Sequence, residues 1–279
     1  MAKPKNKKAW LYIIPALVLV GVLAFSMFQA LKIYIPQQME QQSFEQLKEA
    51  PQNSEQPKDT PQNSEQPKDT PQGLEQPNDT PQGGSANGNG AVYPYTVLEE
   101  RNDDFVGWLS VEDTVIDYPV MCRPDEPEYY LHRDFYGDYS FSGCLFVGGG
   151  CDLSSTSFII YGHNMSAGTM FGTLDSYADA AFADAHRDIA LTTPEGVLVY
   201  RVFAAFQTKV YSDNDNAFKY YEQIGNLNEK TYNEAVSSMR ALSVISFNDM
   251  PKYPAQLMIL STCSYHTDNG RFVVAAYRV

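Results

Sequence analysis

The pattern of apolar and polar positions divides the chain into four stretches. Ala9 to Leu31 carries no charged residue and few polar ones. At about 1.5 Å per residue it is long enough to cross a hydrocarbon core of roughly 30 Å, which predicts a membrane helix. Residues 32–50 are polar with apolar points at Met39, Phe44 and Leu47, the pattern of a short helical stalk. The decapeptide from Pro51 to Thr60 contains no large apolar side chain; it recurs identically from Pro61 to Thr70, degenerates from Pro71 to Thr80 and fades by Gly90. Such a repeat cannot bury a core, so residues 51–90 read as a tether. Only residues 91–279 have the size and aromatic content of a globular unit.

Within that unit the apolar runs are short and mostly strand-like. A leading helix is predicted over Thr96 to Asp104. Strands are predicted over Thr114 to Met121, Cys144 to Val147, Ser157 to Tyr161, Ile189 to Thr192 and Val197 to Tyr211. Short helical pieces are expected at Met170 to Leu174 and Ala178 to Ala185, and the best helix at Leu227 to Leu242. Two final runs, Gln256 to Cys263 and Arg271 to Ala276, flank a polar segment ending in Asn269-Gly270, which predicts an antiparallel hairpin. An antiparallel sheet that must hide its edges tends to close, so the expected fold is mainly β, a barrel with an N-terminal helix and appended helices.

Charge orients the chain. Lys3, Lys5, Lys7 and Lys8 precede the apolar span, whereas its far flank opens on Lys32 and soon turns acidic. This places residues 1–8 in the cytoplasm, the anchor at 9–31 and the globular unit outside the cell. The competing reading is a cleaved signal peptide, suggested by Ala24-Phe25-Ser26; the span exceeds an ordinary h-region, which favours an uncleaved anchor. The tether would reach between about 35 Å as a coil and about 120 Å as extended polyproline for about 40 residues. The chain holds 34 Asp plus Glu against 20 Lys plus Arg, a formal net charge of −14. Residues 91–279 hold 25 of these acidic and 12 of these basic residues, which makes nucleic acid and anionic membrane surfaces poor partners of the globular unit.

The hairpin carries the first candidate chemistry. Pairing centred on the loop sets Cys263 opposite Arg271, and a thiol beside a permanent cation has a reason to ionise. A buried thiol beside an arginine that merely caps a sheet edge is the structural alternative. Oxidising surroundings would permit disulfides among Cys122, Cys144, Cys151 and Cys263, with Cys144–Cys151 and Cys122–Cys144 as rival pairings; no bridge is assigned. The second feature is Ile159-Ile160-Tyr161-Gly162-His163-Asn164-Met165, in which a strand delivers His163 into a loop. Histidine exchanges protons near neutral pH, unlike the side chains around it. His132, His186 and His266 lie in polar stretches without that setting. Cys263-x-x-His266 with Asp268 has a zinc-like spacing but no second ligand pair, so no metal or other cofactor is expected.

Together these residues carry a resemblance. Tyr161-Gly162-His163-Asn164-Met165, Gly168-Thr169-Met170-Phe171, Leu260-Ser261-Thr262-Cys263 and Arg271 resemble the sortases, specifically class B. Asn102 to Leu109, Ile116 to Val120, Tyr129-Tyr130-Leu131 and Asp134-Phe135 resemble that class too, so the likeness spans residues 93–279. Class B members commonly have Gly-Ser-Ile-Phe where this chain has Gly143-Cys144-Leu145-Phe146 followed by three glycines and Cys151.

The resemblance implies a closed barrel of about eight strands and a membrane-anchored cysteine transpeptidase of Gram-positive bacteria. Its partners would be a surface protein bearing a sorting signal and an amine acceptor, either a peptidoglycan precursor or a pilin lysine. Cys263 would be the nucleophile, Arg271 the oxyanion partner and His163 the general acid and base. Ser261, Thr262 and Tyr265 are groove candidates by position. Two other classes stay open: a thiol hydrolase that releases the acyl-enzyme to water, and a wall-displayed binding module without turnover. Papain-like enzymes place the nucleophilic cysteine before the histidine, whereas here His163 precedes Cys263.

Overall fold

The computed structural model describes residues 17–28, 42–48 and 95–279. Eight strands close into a barrel in the order β1-β2-β3-β4-β7-β8-β6-β5. They are β1 (Phe105–Val111), β2 (Asp117–Met121), β3 (Leu145–Val147), β4 (Ser157–Tyr161), β5 (Asp188–Thr193), β6 (Gly196–Lys209), β7 (Leu257–Cys263) and β8 (Gly270–Arg278). The β2–β3 and β4–β7 pairs are parallel and the remaining pairs antiparallel. Helices α1 (Tyr95–Glu99), α2 (Ala180–Ala185) and α3 (Glu229–Leu242) are appended to it.

The central strands are apolar without interruption because both of their faces are covered. Along β7, Met258 and Leu260 join the core with Trp108, Phe158 and Val274, whereas Leu257 and Ile259 join a second cluster with Phe203, Phe206 and Val273. That second cluster is covered by α3, which buries Tyr232, Ala235, Val236 and Met239 at the three- and four-residue spacing of one helix face. The helix starts where the Asn228 side chain accepts a hydrogen bond from the Thr231 amide at 3.0 Å.

Several boundaries differ from expectation for local reasons. Strand β1 was not anticipated, because Gly107 interrupts its apolar run and Asp103-Asp104 precede it. The leading helix is shorter than expected. The Asn102 side chain accepts from the Asp104 amide at 2.9 Å and donates to the Tyr130 hydroxyl at 2.9 Å, so the chain turns there. Met170 to Leu174 is not a helical piece: Met170 sits at φ 54°, and a 3-10 turn follows at Leu174–Ala178. Helix α2 begins only after Asp179, whose carboxylate accepts from the amides of Ala181 and Phe182.

Two described segments precede the barrel. Residues 17–28 are helical and their apolar side chains are exposed; the rest of the expected 9–31 span lies outside the described residues. Among the described residues no helix is long and apolar enough to cross a membrane. Residues 42–48 form a second helix that buries Phe44 and Leu47 against the barrel. The tether at 51–90 lies outside the described residues.

Candidate active site

Strands β4 and β7 run side by side in parallel, with Tyr161 level with Ser261. Carried two residues further, this register brings the loop at His163 beside Cys263. The junction is tied by three bonds. The Gly162 amide donates to the Ser261 carbonyl at 3.2 Å, the Thr262 hydroxyl to the Gly162 carbonyl at 2.7 Å, and the Asn164 side-chain amide to the Cys263 carbonyl at 2.8 Å. Gly162 is required by close approach: a Cβ there would lie 2.5 Å from Leu145 and 2.7 Å from Phe171.

The hairpin supplies the third residue. Strands β7 and β8 pair Cys263 directly with Arg271. The tight return depends on Asn269 at φ 55° and on Gly270, where a Cβ would meet the Ser264 carbonyl oxygen at 2.2 Å. Cys263 and Arg271 are both half-buried, so each is anchored by its strand and open on one side. The parallel β4–β7 register and the hairpin thus bring His163, Cys263 and Arg271 to one end of the barrel.

Two phenols, Tyr220 and Tyr161, lie within electrostatic reach of Arg271. The Tyr220 hydroxyl and the Ser261 hydroxyl are hydrogen-bonded at 2.8 Å within the buried interior. Burial pushes the Tyr220 phenol up to about 12, against the opposing pull of Ser261 and of the Arg271 charge. Burial likewise raises the Tyr161 phenol despite the nearby guanidinium. Both phenols therefore stay neutral near pH 7. Among the described residues no carboxylate forms a salt bridge with Arg271, whose Nη1 donates to the Gly270 carbonyl at 2.9 Å. Its charge is left to meet an anion arriving from outside.

His163 is positioned from a distant part of the chain. Its Nε2 lies 2.8 Å from the Leu131 carbonyl oxygen, which fixes that nitrogen as a donor. Its ring stacks on His132, with centroids 5.2 Å apart and planes inclined by 26°. Neither neighbour was anticipated as part of this site, since thirty residues of sequence separate them from His163 and carry no signal of the contact. Tyr220 was missed for the same reason.

The expected groove residues divide. Ser261 and Thr262 are buried, with their hydroxyls on Tyr220 and Gly162, whereas Tyr265 is exposed at the loop tip. His266 bonds Ser264 at 2.9 Å, and among the described residues no group of three His, Cys, Asp or Glu side chains is placed to hold a metal ion. The four cysteines are thiols. Cys144 is fully buried, and burial pushes Cys122 up to about 11 and raises Cys151 as well.

Comparison with known proteins gives this arrangement a family. The Sortase domain model matches residues 150–279. Sortase B of Listeria monocytogenes is 29% identical over 185 residues, covering 63% of this chain and 70% of that protein. The Staphylococcus aureus sortase B–substrate complex superposes with a TM-score of 0.58 at 27% identity, covering 66% of this chain and 84% of that one. In sequence and in fold the chain is similar to the class B sortases. A crystal structure of sortase B complexed with triglycine is equally similar, with a TM-score of 0.57 at 27% identity, covering 66% of this chain and 85% of the other. That likeness supports a sortase transpeptidase, and the closed barrel of eight strands is the fold of these relatives.

Proposed function

We propose that this sortase cleaves a C-terminal sorting signal after threonine and joins the new carboxyl end to an amine. Cys263, as thiolate, attacks the threonine carbonyl. Arg271 meets the oxygen as it gains charge. His163 gives a proton to the departing amine as the C–N bond breaks, leaving a thioacyl enzyme. An incoming amine then attacks the thioester, passes a proton to His163 and releases the thiolate, which restores the starting state. The observation that carries this reading is the convergence of His163, Cys263 and Arg271 at the ends of β4, β7 and β8, with Arg271 lacking a carboxylate partner among the described residues.

The partners follow from the same reading. The names of related structures, a sortase B–substrate complex and a sortase B with triglycine, support a signal-bearing protein as donor and an oligoglycine-like amine as acceptor. A pilin lysine is the other amine the chemistry accommodates. The lysine-flanked apolar span at 9–31 supports a single-pass anchor with the barrel outside the cell.

Incubating the purified protein with sorting peptides, with and without amine acceptors, tests the proposal. Amine-dependent ligation with a thioester on Cys263 detectable by mass spectrometry is the expected result. Cleavage indifferent to amines would make it a hydrolase, and peptide binding without turnover would make it a binding module.

A further inference from the structure

The helix at residues 42–48 is too short to persist alone in water, where isolated helices of fewer than about 12 residues are marginal. Its order comes from the barrel. Phe44 and Leu47 are 4% and 2% exposed and belong to the barrel core cluster. The Phe44 ring meets Tyr118 of β2 edge-on at 5.3 Å, and Lys48 Nζ lies 2.8 Å from the Asp117 carboxylate. Tyr118 does a second thing: its hydroxyl accepts the amide of Met170 at 3.1 Å. Met170 has a left-handed backbone, at φ 54°, which a methionine adopts only when its surroundings hold it there. It bridges Asn164, and the next amide, Phe171, donates to the His163 carbonyl at 2.9 Å.

We propose that residues 42–48 are a docking element in cis, which seats on Tyr118 and Asp117 and through Tyr118 and Met170 holds the loop that carries His163. The inference rests on His163 being the acid and base of the transpeptidation. The segment is then a positioning element: undocking releases the Met170 turn and loosens His163, while the hairpin bearing Cys263 and Arg271, on the β7–β8 pair, keeps its geometry.

Hydrogen exchange and turnover of the full-length protein in lipid nanodiscs test this together. In the Phe44→Ser/Leu47→Ser variant, exchange of the amides from Asn164 to Phe171 should rise at least about tenfold, with β7 and β8 unchanged. Turnover number on a sorting peptide should fall with little change in KM. Lys48→Met, which removes the pair with Asp117, should act in the same direction. Unchanged exchange in the double serine variant would overturn the docking, and raised exchange with wild-type turnover would overturn the positioning role. A wild-type protein that turns over no sorting peptide would sink the transpeptidase reading instead, and the exchange arm would still decide the docking.

Discussion

Cys263 and Arg271 face each other across the β7–β8 pair of the barrel, one closing β7 and the other second in β8. Two neutral phenols lie within electrostatic reach of the guanidinium, and no carboxylate among the described residues pairs with it. A cation held in this way is matched to an oxyanion that exists only during reaction.

Arg271→Ala should therefore lower kcat by a factor of about 10² to 10³, the loss expected for one oxyanion donor, with little change in thermal stability. Arg271→Lys should recover only part of this, because an ammonium keeps the charge but not the planar fork. Steady-state kinetics on a sorting peptide, beside a melting curve for each variant, provide the check. Wild-type kcat in Arg271→Ala would remove the residue from the mechanism.

The four cysteines should differ in reactivity. Cys144 is 1% exposed, and burial pushes Cys122 to about 11 and raises Cys151. Only Cys263 stands at a strand end beside a cation. Limited iodoacetamide at pH 8 followed by peptide mapping should find the label on Cys263 well before the other three. Labelling of Cys122 at a comparable rate would contradict the burial seen here.

How much of this was legible beforehand depended on sequence distance. The Cys263–Arg271 pairing could be read because both strands and the Asn269-Gly270 turn are contiguous, so one local rule sets the register. The parallel β4–β7 pairing was not: about a hundred residues separate Tyr161 from Ser261, and continuous apolar strands do not name their neighbours. The need for space at Gly162 against Leu145 and Phe171 arises from tertiary packing and has no local signal. His132, Leu131 and Tyr220 reach the site through tertiary packing alone. The chemistry of the site was legible in residue types, and its supports were not.

The Tyr220–Ser261 bond is buried at both ends, so cutting one side should cost more than cutting both. Tyr220→Phe strands the Ser261 hydroxyl and should destabilise the protein by about 1–2 kcal/mol. Adding Ser261→Ala should return part of that loss. Urea denaturation of the two single variants and the double variant gives the coupling energy. A coupling near zero would mean that the bond contributes nothing to the stability of the fold.

Acid should weaken the tie between the start of β5 and the loop that precedes β7. The Arg187 guanidinium, bonded to Asp249 and lying 3.9 Å from the Phe247 ring centroid, holds the Asp249 carboxyl below its ordinary 3.8. Burial opposes this, and the Tyr277 hydroxyl adds a 3.0 Å bond. A carboxylate whose folded-state value is depressed contributes stability that is complete above its unfolded value. That contribution is lost as pH falls below 3.8 and through the folded value. The Asp249 side chain is 44% exposed, so solvent screening keeps its share to about 1 kcal/mol or less. Asp249→Asn should lower stability by that amount at pH 7 and flatten the stability curve between pH 4 and pH 2, roughly the span in which a paired carboxylate protonates. Denaturant midpoints of wild type and variant across that range decide it: curves that stay parallel down to pH 2 would show that the Arg187 pair adds nothing to the folded state.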